Sequence, residues 1–144
     1  MAKFEIEIFQ DINGSQPFLN WADRKLSDSQ FAALDAAIAN VLAEQGSQLL
    51  GTAWLKSLGK NLFEFRIRHT ASQIVKEASP NTKSDGERSK ILLRVFVAFP
   101  SQTQVLILHG YDKGSDDSRF KQQKEIAIAR ARLKQWNMQS GKRN

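Results

Sequence analysis

The sequence predicts a small α+β domain in which an antiparallel or mixed sheet has helices packed on one face. Three observations favour this class. Segments near the start and in the second half of the chain alternate apolar and polar side chains, as half-buried strands do. Two segments after the first strand, and one near the C-terminus, repeat apolar residues at steps of three and four, as amphipathic helices do. The 144 residues suit one domain with its own hydrophobic core.

The first third of the chain predicts a strand followed by a helical hairpin. Apolar residues alternate with charged ones over residues 3–9, which indicates the strand. Ser15 is suited to cap a short first helix, and Ser27 and Gln30 have the spacing of a capping box at the start of a second helix. Gly46 is expected to end this second helix, because glycine is common just past a helix C-terminus.

The second half of the chain predicts an antiparallel meander of three strands, at residues 62–69, 91–99 and 104–111. Residues 48–60 are expected to form a connector that apolar side chains anchor to the core. Residues 78–90 are polar and contain Pro and Gly, so we expect them to form a flexible insertion between two of the strands.

A final helix completes the predicted order β-α-α-β-β-β-α. Residues 116–118 offer N-capping side chains for it. Its apolar stripe at helical spacing consists of Ile126, Ala129, Leu133 and Trp136. No repeat or linker divides the sequence, so we expect a single domain over residues 1–144, with a core over about 2–136 and a basic tail over 137–144.

Composition favours an anionic partner and excludes several kinds of site. The net charge is +6. Residues 119–144 contain eight Lys or Arg residues and one acid, Glu125. Such a balance favours nucleic acid or an acidic protein as partner, although a solvated helix face with a frayed tail would give the same pattern. With no cysteine and two histidines, neither disulfides nor a metal site is expected. The sequence has no apolar run of membrane-spanning length, so we expect a cytoplasmic protein.

Arginines lie in two strands that otherwise resemble core. Alternation places Arg66 and Arg68 on one face of the strand at 62–69, and Arg94 can share that face from the next strand. Burying an unpaired charge is costly. We therefore expect one apolar and one cationic sheet face, and a cationic face binds phosphate. In the third strand, simple alternation places four side chains on one face: Val105, Ile107, His109 and Tyr111.

With this order in place, four segments resemble the RelE/ParE toxin superfamily, most closely its HigB-like, phage-derived branch. Residues 62–67 (LFEFRI) resemble the family's L-Y-E-L-R strand, and residues 94–97 (RVFV) resemble its Y-R-V-F-Y strand. Residues 108–113 (LHGYDK) resemble its L-H-G-F-x-K-K segment, and residues 124–130 (KEIAIAR) resemble its E-I-x-x-A helix. Lys56 and Leu58 lie just upstream, as in the family. Two features depart from it: the insertion replaces a short turn, and Gly114 replaces the family's second Lys.

The resemblance implies a toxin of a type II toxin–antitoxin pair that inhibits translation as a ribosome-dependent mRNA endonuclease without metal or cofactor. In this chemistry the ribose 2′-OH attacks the adjacent phosphate and leaves a 2′,3′-cyclic phosphate and a 5′-OH. The reaction needs a base, cations for the charge on the phosphorane, and an acid for the leaving oxygen.

Seven residues are candidates for these roles. The catalytic candidates are Arg66, Arg94, His109 and Lys113, and the RNA- or phosphate-binding candidates are Lys56, Arg68 and Tyr111. Arginine suits phosphate because its planar fork pairs two oxygens and stays protonated, and a histidine titrates near neutral pH. Asp112 is a possible partner that orients His109. Structural roles compete: Arg66 could pair with Glu64, and Tyr111 could be a packing residue.

The implied partners are a cognate helix-turn-helix antitoxin, the ribosome and mRNA, with a toxin–antitoxin hetero-oligomer and no membrane. Two alternatives remain. ParE-type relatives share the fold and inhibit DNA gyrase without cutting RNA, and a catalytically inactive relative would bind RNA or a protein through the same basic face. Fold alone does not decide among these functions.

Overall fold

The computed structural model describes residues 3–78 and 91–141. In this part of the chain a five-stranded mixed sheet has the order β1-β5-β4-β3-β2. The strands are β1 (Glu5–Ile8), β2 (Leu55–Gly59), β3 (Leu62–Ile67), β4 (Leu93–Ser101) and β5 (Gln104–Asp112). β1 runs parallel to β5, and the remaining neighbours are antiparallel. The predicted α+β class with a mixed sheet is confirmed.

Five α-helices accompany the sheet in the described ranges. They are α1 (Pro17–Lys25), α2 (Asp28–Ala37), α3 (Ala43–Gln45), α4 (Ala71–Ala78) and α5 (Arg119–Gly141). A π-helical segment, Ile38–Leu42, joins α2 to α3 without a break. The predicted capping box is present, since the Gln30 amide donates to Ser27 Oγ and the Ser27 amide donates to Gln30 Oε1. Gly46 ends α3 with φ 48°, as predicted. No helix of the described ranges combines the length and the apolar character that crossing a membrane requires.

Two elements extend the predicted order. β2 lies in the segment expected to be a connector, and a turn in which Lys60 and Asn61 both have positive φ joins it to β3. This is the backbone of a tight hairpin, but the sequence lacks the usual Asn-Gly signal for one. α4 was not predicted. It begins at a capping box, in which the Gln73 amide donates to Thr70 Oγ1 and the Thr70 amide donates to Gln73 Oε1.

The sheet separates two hydrophobic clusters, so helices lie on both of its faces. The first cluster joins one face to α1, α2 and α4, with Phe18, Leu34 and Ile74 as representatives. The second joins the opposite face to α5 through Ala129 and Leu133. The expectation of helices on one face therefore holds for α1, α2 and α4, whereas α5 packs on the other face.

A β-bulge in β5 changes the direction of its last side chains. Phe96 pairs with His109 and Val97 pairs with Ile107, so Leu108 is an extra residue in β5. Simple alternation placed Ile107, His109 and Tyr111 on one face, which is wrong. Ile107 belongs to the first cluster and Tyr111 to the second, because a bulge re-aims the side chains that follow it.

The last helix extends into the segment expected to be a basic tail. α5 continues to Gly141, so most of the expected tail at 137–144 is helical, and residues 142–144 lie outside the described residues. The predicted insertion at 78–90 also lies outside them, except for Ala78 at the end of α4.

Candidate functional site

Two cross-strand rows on the α5 side of the sheet bring most of the predicted residues together. The first row is Lys56, Glu64, Phe96 and His109, and the second is Arg66, Arg94 and Tyr111. Residues directly opposite one another in antiparallel strands share a sheet face. We call these seven residues the cationic face. Of the predicted site residues, Arg68 and Lys113 lie outside the two rows.

Glu64 is the centre of the cationic face. Its Oε1 lies 3.0 Å from Arg66 Nε and 3.7 Å from Arg94 Nε, and its Oε2 accepts a hydrogen bond of 3.1 Å from Gln122 Nε2. The Glu64 side chain is 0% exposed. One buried carboxylate therefore balances two guanidinium groups, and the group carries an excess positive charge.

Arg94 is the buried member of this arginine pair. Its side chain is 4% exposed, compared with 23% for Arg66. Burial lowers the pKa of Arg94, and the nearby charges of Arg66 and Arg68 lower it further although Glu64 opposes them. Arg94 donates from Nη1 to the Leu93 carbonyl at 3.3 Å, and its Nε has no hydrogen-bond acceptor among the described residues. Arg94 Nε is therefore a buried donor whose nearest carboxylate oxygen, Glu64 Oε1, lies 3.7 Å away.

Tyr111 lies at the end of the same row. Its ring stacks on Phe96 with centroids 5.9 Å apart, which agrees with the packing interpretation. Burial, followed by the charge of Glu64, raises the pKa of Tyr111 to about 12. Its hydroxyl has no hydrogen-bond partner in the described part of the chain. At neutral pH the phenol is therefore protonated, and it can donate a hydrogen bond but cannot act as a base.

Both ring nitrogens of His109 are engaged by α5. Nε2 bonds Glu125 Oε2, and Nδ1 lies 2.9 Å from Arg132 Nη1, which also donates to the Leu108 carbonyl. Because arginine only donates, Nδ1 must accept and Nε2 must carry the proton. Burial lowers the pKa of His109, and Arg132 adds to this while Glu125 opposes it. The predicted proton-transfer residue is therefore a neutral, anchored imidazole in this structure.

Glu125, and not Asp112, orients His109. The Asp112 carboxylate accepts from Gln30 Nε2 at 2.7 Å and from the Gly114 amide at 2.9 Å. Burial would raise the pKa of Glu125, but hydrogen bonds from Lys121 and His109 outweigh that effect and hold it below its ordinary value. The sequence held one signal for this role, since Glu125 is the single acid among eight basic residues from position 119 onward.

The other predicted cations are more peripheral. Lys56 and Arg68 are exposed, Lys56 in β2 directly opposite Glu64 and Arg68 just after β3. Lys113 is half-buried after β5, where its backbone amide donates to the Leu92 carbonyl at 2.9 Å. The exposed positions of Lys56 and Arg68 suit long-range attraction of an anion.

Comparisons with known proteins leave the proposed family untested. No protein-family model matches the sequence, and a search of curated proteins finds no match. The likeness to the RelE/ParE superfamily therefore stays an expectation carried by the four sequence segments. What the arrangement itself shows is two guanidinium groups around one buried carboxylate, with excess positive charge.

Proposed function

We propose that the protein is a toxin of a type II toxin–antitoxin pair that cleaves mRNA on the ribosome without a metal ion. The observation that supports this most is the position of Arg66 directly opposite Arg94, with Glu64 as their shared carboxylate. Like charges placed opposite each other across strands are destabilising. A bound phosphate would offset that cost, with Arg66, the more exposed of the two, as its first contact.

The two arginines would supply the cations that the reaction needs. They would hold the nonbridging oxygens of the scissile phosphate and stabilise the charge that gathers on the phosphorane. Exposed Lys56 and Arg68 would attract the RNA backbone. The Tyr111 hydroxyl, protonated and without a described partner, could donate to a phosphate oxygen beside Arg94.

In this proposal His109 would act as the base for the 2′-OH, and the Lys113 ammonium would protonate the 5′ oxygen as the P–O5′ bond breaks. Nδ1 of His109 could take the proton of the 2′-OH only after Arg132 leaves it, because that lone pair now accepts from Arg132 Nη1. The displacement would be favoured by an RNA phosphate that offers Arg132 a better acceptor. Binding of mRNA on the ribosome would then complete the site.

The proposed partners follow from the same chemistry. The ribosome would present the mRNA, and an antitoxin with a helix-turn-helix domain would block the cationic face until it is released. Acidic or phosphate groups of either partner would meet the excess charge at Arg66 and Arg68.

A second candidate is a binding protein without nuclease activity, either a ParE-type inhibitor of DNA gyrase or an inactive relative. The engagement of both His109 nitrogens favours it, as does Gly114 at the position of the family's second Lys. In this case the arginine pair would bind an anionic partner and no bond would be cleaved.

The test is expression of the chain from a tightly regulated promoter with mapping of new RNA ends that carry a 5′-hydroxyl. In-frame cuts within translated messages are expected from the parent. Arg66→Gln, which leaves Glu64 paired with Arg94, should reduce cutting by about 10²-fold or more, the usual loss on removal of one transition-state donor. Arg94→Lys keeps the charge but loses the fork, and should be similarly impaired.

Arg24→Gln, at an exposed position on α1, is the matched control and should cut like the parent. Growth arrest without new RNA ends would reject the nuclease and favour a protein target such as gyrase. No arrest and no new ends would leave the inactive binding relative.

A further inference from the structure

A cleft of about 550 Å³ lies between α1 and α5, over the C-terminal end of β5. Its walls include Trp21 and Lys25 of α1 and Lys121 and Lys124 of α5. The end of β5, from His109 to Asp112, forms the floor. We call this the β5 cleft. It borders the cationic face, because His109 and Tyr111 belong to both.

The cleft exists because β1 is shorter than β5. β1 pairs only with the first residues of β5, ending at Ile8 opposite Ile107. Beyond Ile107, no described strand pairs with that edge of β5. The helices α1 and α5 lie on opposite faces of the sheet and leave the strand end open between them.

Trp21 is fixed against the floor of the cleft by a close approach to Gly110. A Cβ at position 110 would lie 2.7 Å from Trp21 Cζ3, a distance at which one of the two must move. Trp21 also packs near Phe18, with ring centroids 5.7 Å apart, and Phe18 Cε1 lies 3.0 Å from the same built Cβ. The half-buried indole therefore presents an oriented aromatic surface to the cleft, and a preorganised ring gives up little conformational entropy when a planar group stacks on it.

The charge available to a ligand in the cleft is positive. Three lysines line it, against the two carboxylates of Asp112 and Glu125. Both carboxylates accept hydrogen bonds from within the protein, Asp112 from Gln30 and the Gly114 amide, and Glu125 from His109 and Lys121. Lys25 and Lys124 are exposed and form no ion pair with a described residue. The cleft thus combines one aromatic surface with two cations that are free to bind phosphate.

We propose that the β5 cleft binds a nucleotide of single-stranded RNA, with its base stacked on Trp21 and its flanking phosphates at Lys25 and Lys124. Aromatic platforms beside cations are the usual physical solution for binding single strands. The choice of RNA as ligand rests on the proposed function. The adjoining phosphate would then enter the cationic face past His109 and Tyr111. An extended peptide on the open edge of β5 would need no basic walls, which favours RNA.

The first test uses the fluorescence of Trp21. In a Trp54→Phe, Trp136→Phe background this is the only remaining tryptophan, and a short single-stranded uridine oligonucleotide should quench it on binding to the free protein. Trp21→Leu should weaken binding of a labelled oligonucleotide by about tenfold or more, because stacking on one aromatic ring contributes that much. Trp21→Tyr keeps a stacking surface and should restore most of the affinity.

The second test separates local phosphate binding from net charge. The double substitution Lys25→Gln, Lys124→Gln should reduce the slope of log K against log salt by about 1.4, or roughly 0.7 for each phosphate of the single strand that is no longer neutralised. The control Lys3→Gln, Arg24→Gln removes the same charge at exposed positions outside the cleft and should leave the slope close to that of the parent.

The outcomes distinguish this inference from the nuclease proposal. One outcome is a protein that produces no RNA cuts but shows quenching that depends on Trp21, Lys25 and Lys124. This would support RNA binding in the β5 cleft and reject the nuclease proposal. Cutting that is unaffected by the three substitutions, with oligonucleotide binding equal to the parent, would reject the cleft and leave the nuclease. Quenching by an extended peptide but not by RNA would also overturn the proposed ligand.

Discussion

Glu64 links the stability of the sheet to the charge of the candidate site. It is fully buried, touches both arginines of the second row, and receives a hydrogen bond from Gln122 of α5. A buried carboxylate is tolerated when it is paired and hydrogen-bonded. Glu64 therefore makes it possible for Arg94 to be buried at a position where an apolar residue would otherwise be expected.

Replacement of Glu64 by Gln should destabilise the protein by about 3 kcal/mol, because it leaves two neighbouring guanidinium groups without a counter-charge. Urea denaturation measures the change in the free energy of unfolding. Glu5→Gln is a suitable control, since Glu5 is exposed on β1, and it should change stability by no more than about 0.5 kcal/mol. Equal effects of the two substitutions would mean that Glu64 does not neutralise the arginine pair.

Tyr111 offers a spectroscopic measure of burial at the same site. It is the one tyrosine of the chain, so phenolate absorbance in an alkaline titration reports a single group. The midpoint should lie near pH 12, compared with the ordinary pKa of 10.0. Because the folded pKa is raised, the stability that this group contributes is present below pH 10.0 and is lost as the pH rises towards about 12.

Tyr111→Phe is the control for this titration. It should abolish the absorbance change and remove the corresponding part of the pH dependence of unfolding. A midpoint near 10.0 in the parent protein would contradict the burial of the hydroxyl beside Glu64.

At the scale of elements, close packing at the end of α3 fixes how β1 meets the helical hairpin. Gly46 has φ 48°, and a Cβ there would lie 2.5 Å from the ring of Phe4. The amide of Phe4 donates to the Ala43 carbonyl at 2.9 Å. The ring thus fills the space that a side chain at position 46 would need.

Substitution of Gly46 by Ala should therefore cost more than the same change at Gly51. Both glycines have positive φ, but at Gly51 no heavy atom of the described chain lies within 4 Å of a built Cβ. Both variants carry the strain of a positive φ, and Gly46→Ala should lose about 1–3 kcal/mol more through the clash with Phe4. Thermal or urea unfolding of the pair measures this difference, and equal losses would show that Phe4 can move away without cost.

For the whole molecule, the single sheet connects two hydrophobic clusters. Neighbouring residues of β4 alternate between them, with Val95 in the first cluster and Phe96 in the second. If one cluster came apart, one face of the sheet would be exposed to water. The strands of that sheet also hold the other cluster together. We therefore expect both clusters to unfold together.

This cooperativity can be followed with two tryptophans. Trp54 packs on the first cluster and Trp136 on the second, so single-tryptophan proteins report the two faces separately. Their urea transitions should coincide with each other and with the loss of far-ultraviolet circular dichroism. An earlier transition for Trp136 would instead mean that α5 detaches before the sheet unfolds.

The sequence by itself determined the features that depend on neighbours along the chain. Alternation located β1, β3, β4 and β5, and helical spacing located α1, α2 and α5. The side chains of Ser27 and Gln30 marked a helix start. The alternation of side chains along the strands also placed Arg66 and Arg94 on a common face. β2 and α4 were not predicted. The burial of β2 does not alternate regularly, and the turn after it lacks an Asn-Gly pair. α4 follows closely on β3, and its signal in the sequence is the Thr70–Gln73 spacing.

Only the tertiary structure decided which groups meet at the candidate site. A one-residue bulge, set by the pairing of β4 with β5, turns His109 towards α5. Glu125 and Arg132 then reach it from 16 and 23 positions away along the chain. The physical reason is that periodicity reports burial along one segment, whereas register, helix placement and long-range hydrogen bonds depend on segments that become neighbours only when the chain folds.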